Sequence, residues 1–204
     1  MTRPVATVGG DPVSVGEVDE REVRLRNGAY AATLPASGTS EGRQLRRWLT
    51  QLIVTERVVA VEAAARGVAV HGAPTEADLL PDATARLEIG SVAAAVLADP
   101  LARALFAAVT ADVEVSDDDV ADYHARNPLR FAPSRPVPHG WRATADEEPP
   151  LQEVRPAITE HLRGAARRRA FRRWLDARRA ALVQLAPGYE HPGDPRQPDN
   201  THRH

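Results

Sequence analysis

Histidine and carboxylate side chains crowd the last sixteen residues of this chain, where His191, His202 and His204 stand with Asp194 and Asp199. In an extended segment His202 and His204 project to the same side, so the two imidazoles can reach one divalent ion, with His191 or Asp194 as a third ligand. Three protein ligands leave a coordination position open, which suits catalysis. The plainer reading of the same residues is an irregular polar terminus, although Tyr189 provides an aromatic group able to pin the tail to the body. A second group lies in residues 132–150, where His139, Trp141 and Arg142 follow closely on Tyr123 and His124. Aromatic and imidazole groups at the mouth of a helical cleft can hold a planar ligand and move protons near neutral pH. The plainer reading is a tryptophan that tacks a loop onto a core. The candidate site is therefore His139 and His191 for proton transfer, and Trp48, Tyr123, Trp141, Tyr189 and Arg142 for ligand contact. His191, His202, His204 and Asp194 are its candidates for a metal ion.

Arginines are the third chemical feature. Arg163, Arg167, Arg168, Arg169, Arg172, Arg173, Arg178 and Arg179 share one segment, which could meet nucleic-acid phosphates, an acidic carrier protein or an anionic cofactor. The whole chain carries a net charge of -2, and Asp112, Glu114, Asp117, Asp118, Asp119 and Asp122 offer an acidic counter-patch. The expectation is a solvated face partly paired within the fold, with nucleic acid not expected as a partner.

Several chemistries lack their residues. All 26 basic residues are Arg, so neither a Schiff-base lysine nor a phosphate-loop lysine is present. Cysteine is absent, which removes thiolate nucleophiles, disulfides and cysteine-ligated zinc. No Gly-x-Ser-x-Gly, Gly-x-Gly-x-x-Gly or Walker loop occurs, so serine acyl transfer and nucleotide binding are unsupported. Asp117, Asp118 and Asp119 sit at an expected helix start, where capping accounts for them.

The elements that would position these residues are mainly helical. The apolar content of 43% is mostly Ala, Val and Leu, and aromatics are only 4%, which favours closely packed helices. Gly9 and Gly10 suit a short hairpin, and Ser14 with Glu17 spells a capping box for a helix running to about Arg26. Leu45, Trp48, Leu49, Leu52, Ile53, Val59 and Ala63 recur at helical spacing over residues 41–66, with Gly67 as a C-terminal cap. Thr75 and Asp78 open another helix that Pro81 interrupts; helical patterning resumes over residues 83–97 and again after Pro100. Ser116 and Asp119 cap a short helix that ends at Asn127 and Pro128. Residues 132–150 form a proline-rich bridge. Val154, Ile158, Leu162, Ala165, Trp174, Leu175, Leu182 and Leu185 then mark one long helix, with Pro156 tolerable only in its first turn. Residues 187–204 read as an irregular tail. No apolar run approaches the ~20 residues of a membrane span, and the N-terminus has no basic stretch followed by an apolar one, so a cytoplasmic location without a membrane partner is expected.

Four segments carry a family resemblance: the hairpin with its following helix, residues 43–56, residues 115–124 with the 127–131 ending, and the helix running from residues 153–158 to 174–179. Together they resemble the helical chaperone frame of the SurA and PrsA families, in which a parvulin-type prolyl isomerase domain sits between such flanks. Only residues 132–150 fill that place here, too few for an independent domain. The resemblance implies an all-α fold like the SurA N-terminal region, with a short N-terminal β-hairpin and a long C-terminal helix. Its parts would be a hairpin and helical region at 1–131, the bridge at 132–150, a C-terminal helix at 151–186 packing on the helical region, and the tail at 187–204. It also implies an apolar cleft between helices, but no isomerase residue, since that site belongs to the missing domain. Isomerase-free proteins of this kind look similar to accessory proteins of actinobacterial secondary metabolism.

Two functions are compatible with this reading. One is small-molecule tailoring or binding in aromatic polyketide biosynthesis, with a cleft lined by Trp48, Tyr123 and Trp141 and closed by the tail. The other is a non-catalytic chaperone-like module for apolar peptide or for an acidic carrier protein. Prolyl isomerase and serine acyltransferase activities are not expected; the reaction type, cofactor and oligomeric state stay open.

Overall fold

The computed structural model describes residues 4–29, 31–132, 135–136, 142–143 and 148–194. Strands β1 (Ala6–Val8) and β2 (Asp11–Val13) form the expected hairpin across Gly9 and Gly10. Helix α1 (Val15–Arg26) starts at the Ser14–Glu17 capping box, in which each residue's side chain takes the other's amide. Helix α2 (Ser40–Arg66) is the central element and packs against α1, the hairpin and three later helices. Its buried residues Leu49, Leu52, Val54, Val58 and Val59 meet Val5, Val8 and Val13 from the hairpin in the main apolar core.

Short helices follow: α3 (Glu76–Leu79), α4 (Ala83–Ile89), α5 (Ser91–Val96), α6 (Pro100–Val109) and α7 (Asp117–Arg126). The sequence pattern reads 83–97 as one helix, yet Gly90 divides it. Its φ of 90° and ψ of 151° break the helical path and turn α5 away from α4. A side-chain-bearing residue rarely adopts that conformation. The Ser116–Asp119 box at α7 is formed as expected, and Asp99 caps α6 with Pro100 in its first turn.

The bridge contains the paired strands β3 (Arg135–Pro136) and β4 (Arg142–Ala143). After it, α8 (Leu151–Leu182) runs 32 residues across α4, α6 and α7. Pro156 lies beyond its first turn, so the Gln152 carbonyl loses its usual i+4 donor. Burial of Val154 and Ile158 beside Val120 holds the helix together there, in a second, smaller apolar cluster.

Helix α8 ends three residues earlier than the apolar spacing suggests. Val183–Leu185 forms β5, which pairs antiparallel with β1 and places Ala6 opposite Leu185. The free edge of the hairpin supplies partners that a further helical turn would lack; Ala186 donates to the Val5 carbonyl at 2.9 Å and Gly9 to that of Leu182 at 2.8 Å. The fold is thus mostly helical with a three-stranded antiparallel sheet in the order β2-β1-β5, joining the beginning of the described chain to the region before the tail. Among the described residues no helix is long and apolar enough to cross a membrane.

Candidate functional site

Residues 187–194 fold back along α2. Arg47 donates from Nε to the Gly188 carbonyl at 3.0 Å, and Gln51 donates from Nε2 to the Tyr189 carbonyl at 2.8 Å. Tyr189 packs against the main core, as its place in the sequence suggests. A turn follows, closed by the Asp194 amide donating to the His191 carbonyl at 2.9 Å.

This course places His191 on a pocket of about 320 Å³ between α5, α8 and the tail. Ile89, Val92, Ala93 and Leu175 form its apolar wall; Ser91, Arg172, Asp176 and Arg179 supply polar groups. The His191 side chain reaches solvent at the rim, yet the surrounding protein and then the charge of Arg179 hold its pKa below the usual value, while Asp194 acts in the opposite direction. The ring is therefore neutral near pH 7. Its Nδ1 accepts from the Gly193 amide at 3.0 Å, which assigns the remaining proton to Nε2. His191 can thus donate a hydrogen bond from Nε2, while a metal bound there would first displace that proton.

The other candidates are distributed differently. Trp48 packs on the main core and lines a separate groove of about 360 Å³ with Arg21, Arg24, Leu25, Leu49 and Leu52, between α1 and α2. Tyr123 belongs to the second apolar cluster, where its ring lies 6.2 Å from Phe131 and 5.4 Å from His161. Trp48 and Tyr123 therefore belong to different apolar clusters. Burial, followed by the charges of Arg130 and Arg168, also lowers the His161 pKa. His124 lies 3.0 Å from the Pro149 carbonyl through Nε2, tying α7 to the end of the bridge. His139, Trp141, His202 and His204 lie outside the described residues, and Arg142 is described only as part of β4. Among the described residues no group of three or more His, Cys, Asp or Glu side chains could hold a metal ion. His191 and Asp194 are the part of the candidate metal set whose position is described.

The arginine-rich helix is largely engaged within the fold. Buried Arg168 meets Glu88 at 2.9 Å, its path along α8 eased by Gly164, where a Cβ would stand 3.2 Å from Nη1. Arg178 pairs with buried Glu62 at 2.6 Å, Arg163 with Glu160 at 2.5 Å, and Arg167 donates to the Thr110 hydroxyl at 2.8 Å. Of the acidic residues at 112–122, Asp117 meets Arg155 at 2.5 Å, whereas Asp119 serves its own helix cap. Arg168 and Arg178 instead find their carboxylates in Glu88 and Glu62, far away in sequence.

Arg172, Asp176, Arg179 and Ser91 are pocket residues that the sequence reading leaves out of the site. A signal exists for Arg179: it follows core residue Leu175 by four and so continues the buried stripe of α8. Its enclosure lowers its pKa, partly offset by Asp176, but a guanidinium remains charged at neutral pH.

Residues 4–41 match the model of a family of unknown function (DUF7158). That stretch covers the hairpin, α1 and the start of α2, and it contains none of the pocket residues. No curated protein and no solved structure matches the chain.

Proposed function

We propose that this chain is a small-molecule binding or tailoring protein on a repurposed SurA-like or PrsA-like helical frame, working in the cytoplasm on a planar, largely apolar ligand such as an aromatic polyketide. The supporting observation is the path of the tail. Arg47 and Gln51 hold residues 188 and 189 on α2, and His191 then joins α5 and α8 around the pocket. An apolar wall with a few convergent polar groups is the usual make-up of a ligand site. In a tailoring reaction, His191 would serve as a hydrogen-bond donor from Nε2 to an oxygen gaining negative charge. With His202 and His204, it and Asp194 remain the proposed ligands for a divalent metal.

Amide NMR titration with 2-naphthoate and its neutral counterpart 2-naphthylmethanol tests this reading. Saturable shifts around residues 89–93, with a Kd below about 1 mM for at least one probe, are expected. They should disappear in a chain ending at Ala186 that still unfolds cooperatively, and weaken in full-length His191→Ala. Absence of saturable shifts with both probes, or unchanged affinity in both variants, would overturn it.

The α1/α2 groove favours the second reading, an apolar-peptide module, because Trp48, Leu25, Leu49 and Leu52 share it with Arg21 and Arg24. Exposed Arg169 and Arg173 offer a cationic face to an acidic carrier protein. The peptide module would suppress aggregation of an unrelated unfolded client equally well with and without the tail; no suppression in either form would reject it.

A further inference from the structure

We infer that the pocket between α5, α8 and the tail receives an organic carboxylate on an apolar body, with the Arg179 guanidinium as its counter-charge. This rests on the ligand-binding reading of that pocket and adds the class of ligand.

Arg179 differs from its neighbours on α8 in how its charge is met. Arg168 and Arg178 each have a carboxylate within 3 Å, from Glu88 and Glu62. Arg179 instead donates to the Thr55 hydroxyl, the Gln51 side-chain oxygen and, at 3.5 Å, the Gln51 carbonyl. Among the described residues no carboxylate lies within the 4.0 Å ion-pair distance of Arg179. Asp176 influences it from farther away.

A guanidinium has five N–H donors. The three bonds to Gln51 and Thr55 leave Nε and one hydrogen on Nη2 without an acceptor among the described residues. Holding a half-enclosed cation on neutral acceptors costs free energy that a carboxylate partner would offset. Arg179 also lines the pocket.

The remaining wall favours the same ligand. Arg172 adds a second guanidinium, whose Nη1 donates to the neutral Glu88 carbonyl at 3.1 Å. Asp176 is the one carboxylate among the pocket-lining residues, so two fixed positive charges face one negative charge. His191 contributes an N–H donor without adding charge, because its Nδ1 is occupied by the Gly193 amide. Ile89, Val92 and Leu175 provide apolar surface beside these donors. A carboxylate matches the forked geometry of a guanidinium, and an apolar body matches the wall.

Isothermal titration of the full chain with 2-naphthoate, 2-naphthylmethanol and inorganic phosphate separates the possibilities. Naphthoate should bind at least about tenfold more tightly than the alcohol, a difference of about 1.4 kcal/mol. The preference should fall to less than about threefold in Arg179→Gln, with folding verified by thermal unfolding. Phosphate at up to 10-fold excess over naphthoate, roughly the range in which a weak competitor would register, should leave naphthoate binding unchanged. Equal affinity of wild type for naphthoate and alcohol would overturn the anion assignment while leaving ligand binding intact. Binding of neither aromatic probe would overturn both, and displacement of naphthoate by phosphate would overturn the carboxylate class in favour of a phosphate site. The wild-type comparison decides the matter even if Arg179→Gln does not fold.

Discussion

The middle and the end of α8 use the same residue type for different purposes. Arg168 is 6% exposed and its guanidinium faces Glu88, with Gly164 leaving room beside it. One turn beyond Leu175, Arg179 is half-buried, rests on Gln51 and Thr55, and borders an open pocket. The first arrangement is electrically complete and fastens α8 to α4. The second leaves donors directed at neutral groups or at none. Charge compensation, more than arginine content, therefore separates the scaffold part of this helix from the candidate site.

The largest expected effect lies in the scaffold part. Glu88→Ala leaves the Arg168 charge buried beside the neutral Leu79 carbonyl, its 3.3 Å acceptor. Leaving the buried Arg168 charge without its half-buried partner costs about 3 kcal/mol, to be read from the urea unfolding midpoint. A loss under about 1 kcal/mol, in the range of an exposed pair, would erase the contrast with Arg179. Arg179→Gln should cost less, about 2 kcal/mol, because it removes hydrogen bonds to the buried neutral acceptors Gln51 and Thr55 and no ion pair.

A smaller effect concerns pH. His191 has a lowered pKa in the folded chain, so the unfolded chain binds the proton more readily. Stability from this group is therefore present above the ordinary histidine range and declines as pH falls from about 6.5 toward the lower folded value. Wild type should lose stability between pH 7 and 5 more steeply than His191→Gln. Parallel curves would mean that the surrounding protein and Arg179 do not hold the ring's pKa down.

Much of the scaffold was legible in local sequence. Ser14 with Glu17, Ser116 with Asp119, and Gly67 each carry a capping signal confined to a few residues, and each helix end lies where that signal places it. Strand β5 was not legible, because Val183–Leu185 also continues the apolar spacing of α8; only β1, some 175 residues earlier by the Val8–Val183 pairing, makes it a strand. Gly90 was readable as a glycine but not as the point where one helix becomes two. His191, Tyr189 and Asp194 stood out as residues capable of chemistry. Arg172 and Arg179 stood out only within the arginine-rich segment, apart from these three, and Ser91 did not stand out: they reach His191 through folding of α5, α8 and the tail, and no spacing in the chain expresses that meeting.

Ligand-induced stabilisation addresses the division of α8 most directly. Urea unfolding of wild type, Arg178→Gln and Arg179→Gln would be measured with and without 2-naphthoate at about 100 times the wild-type Kd. Wild type and Arg178→Gln should each gain about 2.7 kcal/mol, and Arg179→Gln at least about 0.7 kcal/mol less. An equal gain in all three proteins would contradict the assignment of Arg179 to the site.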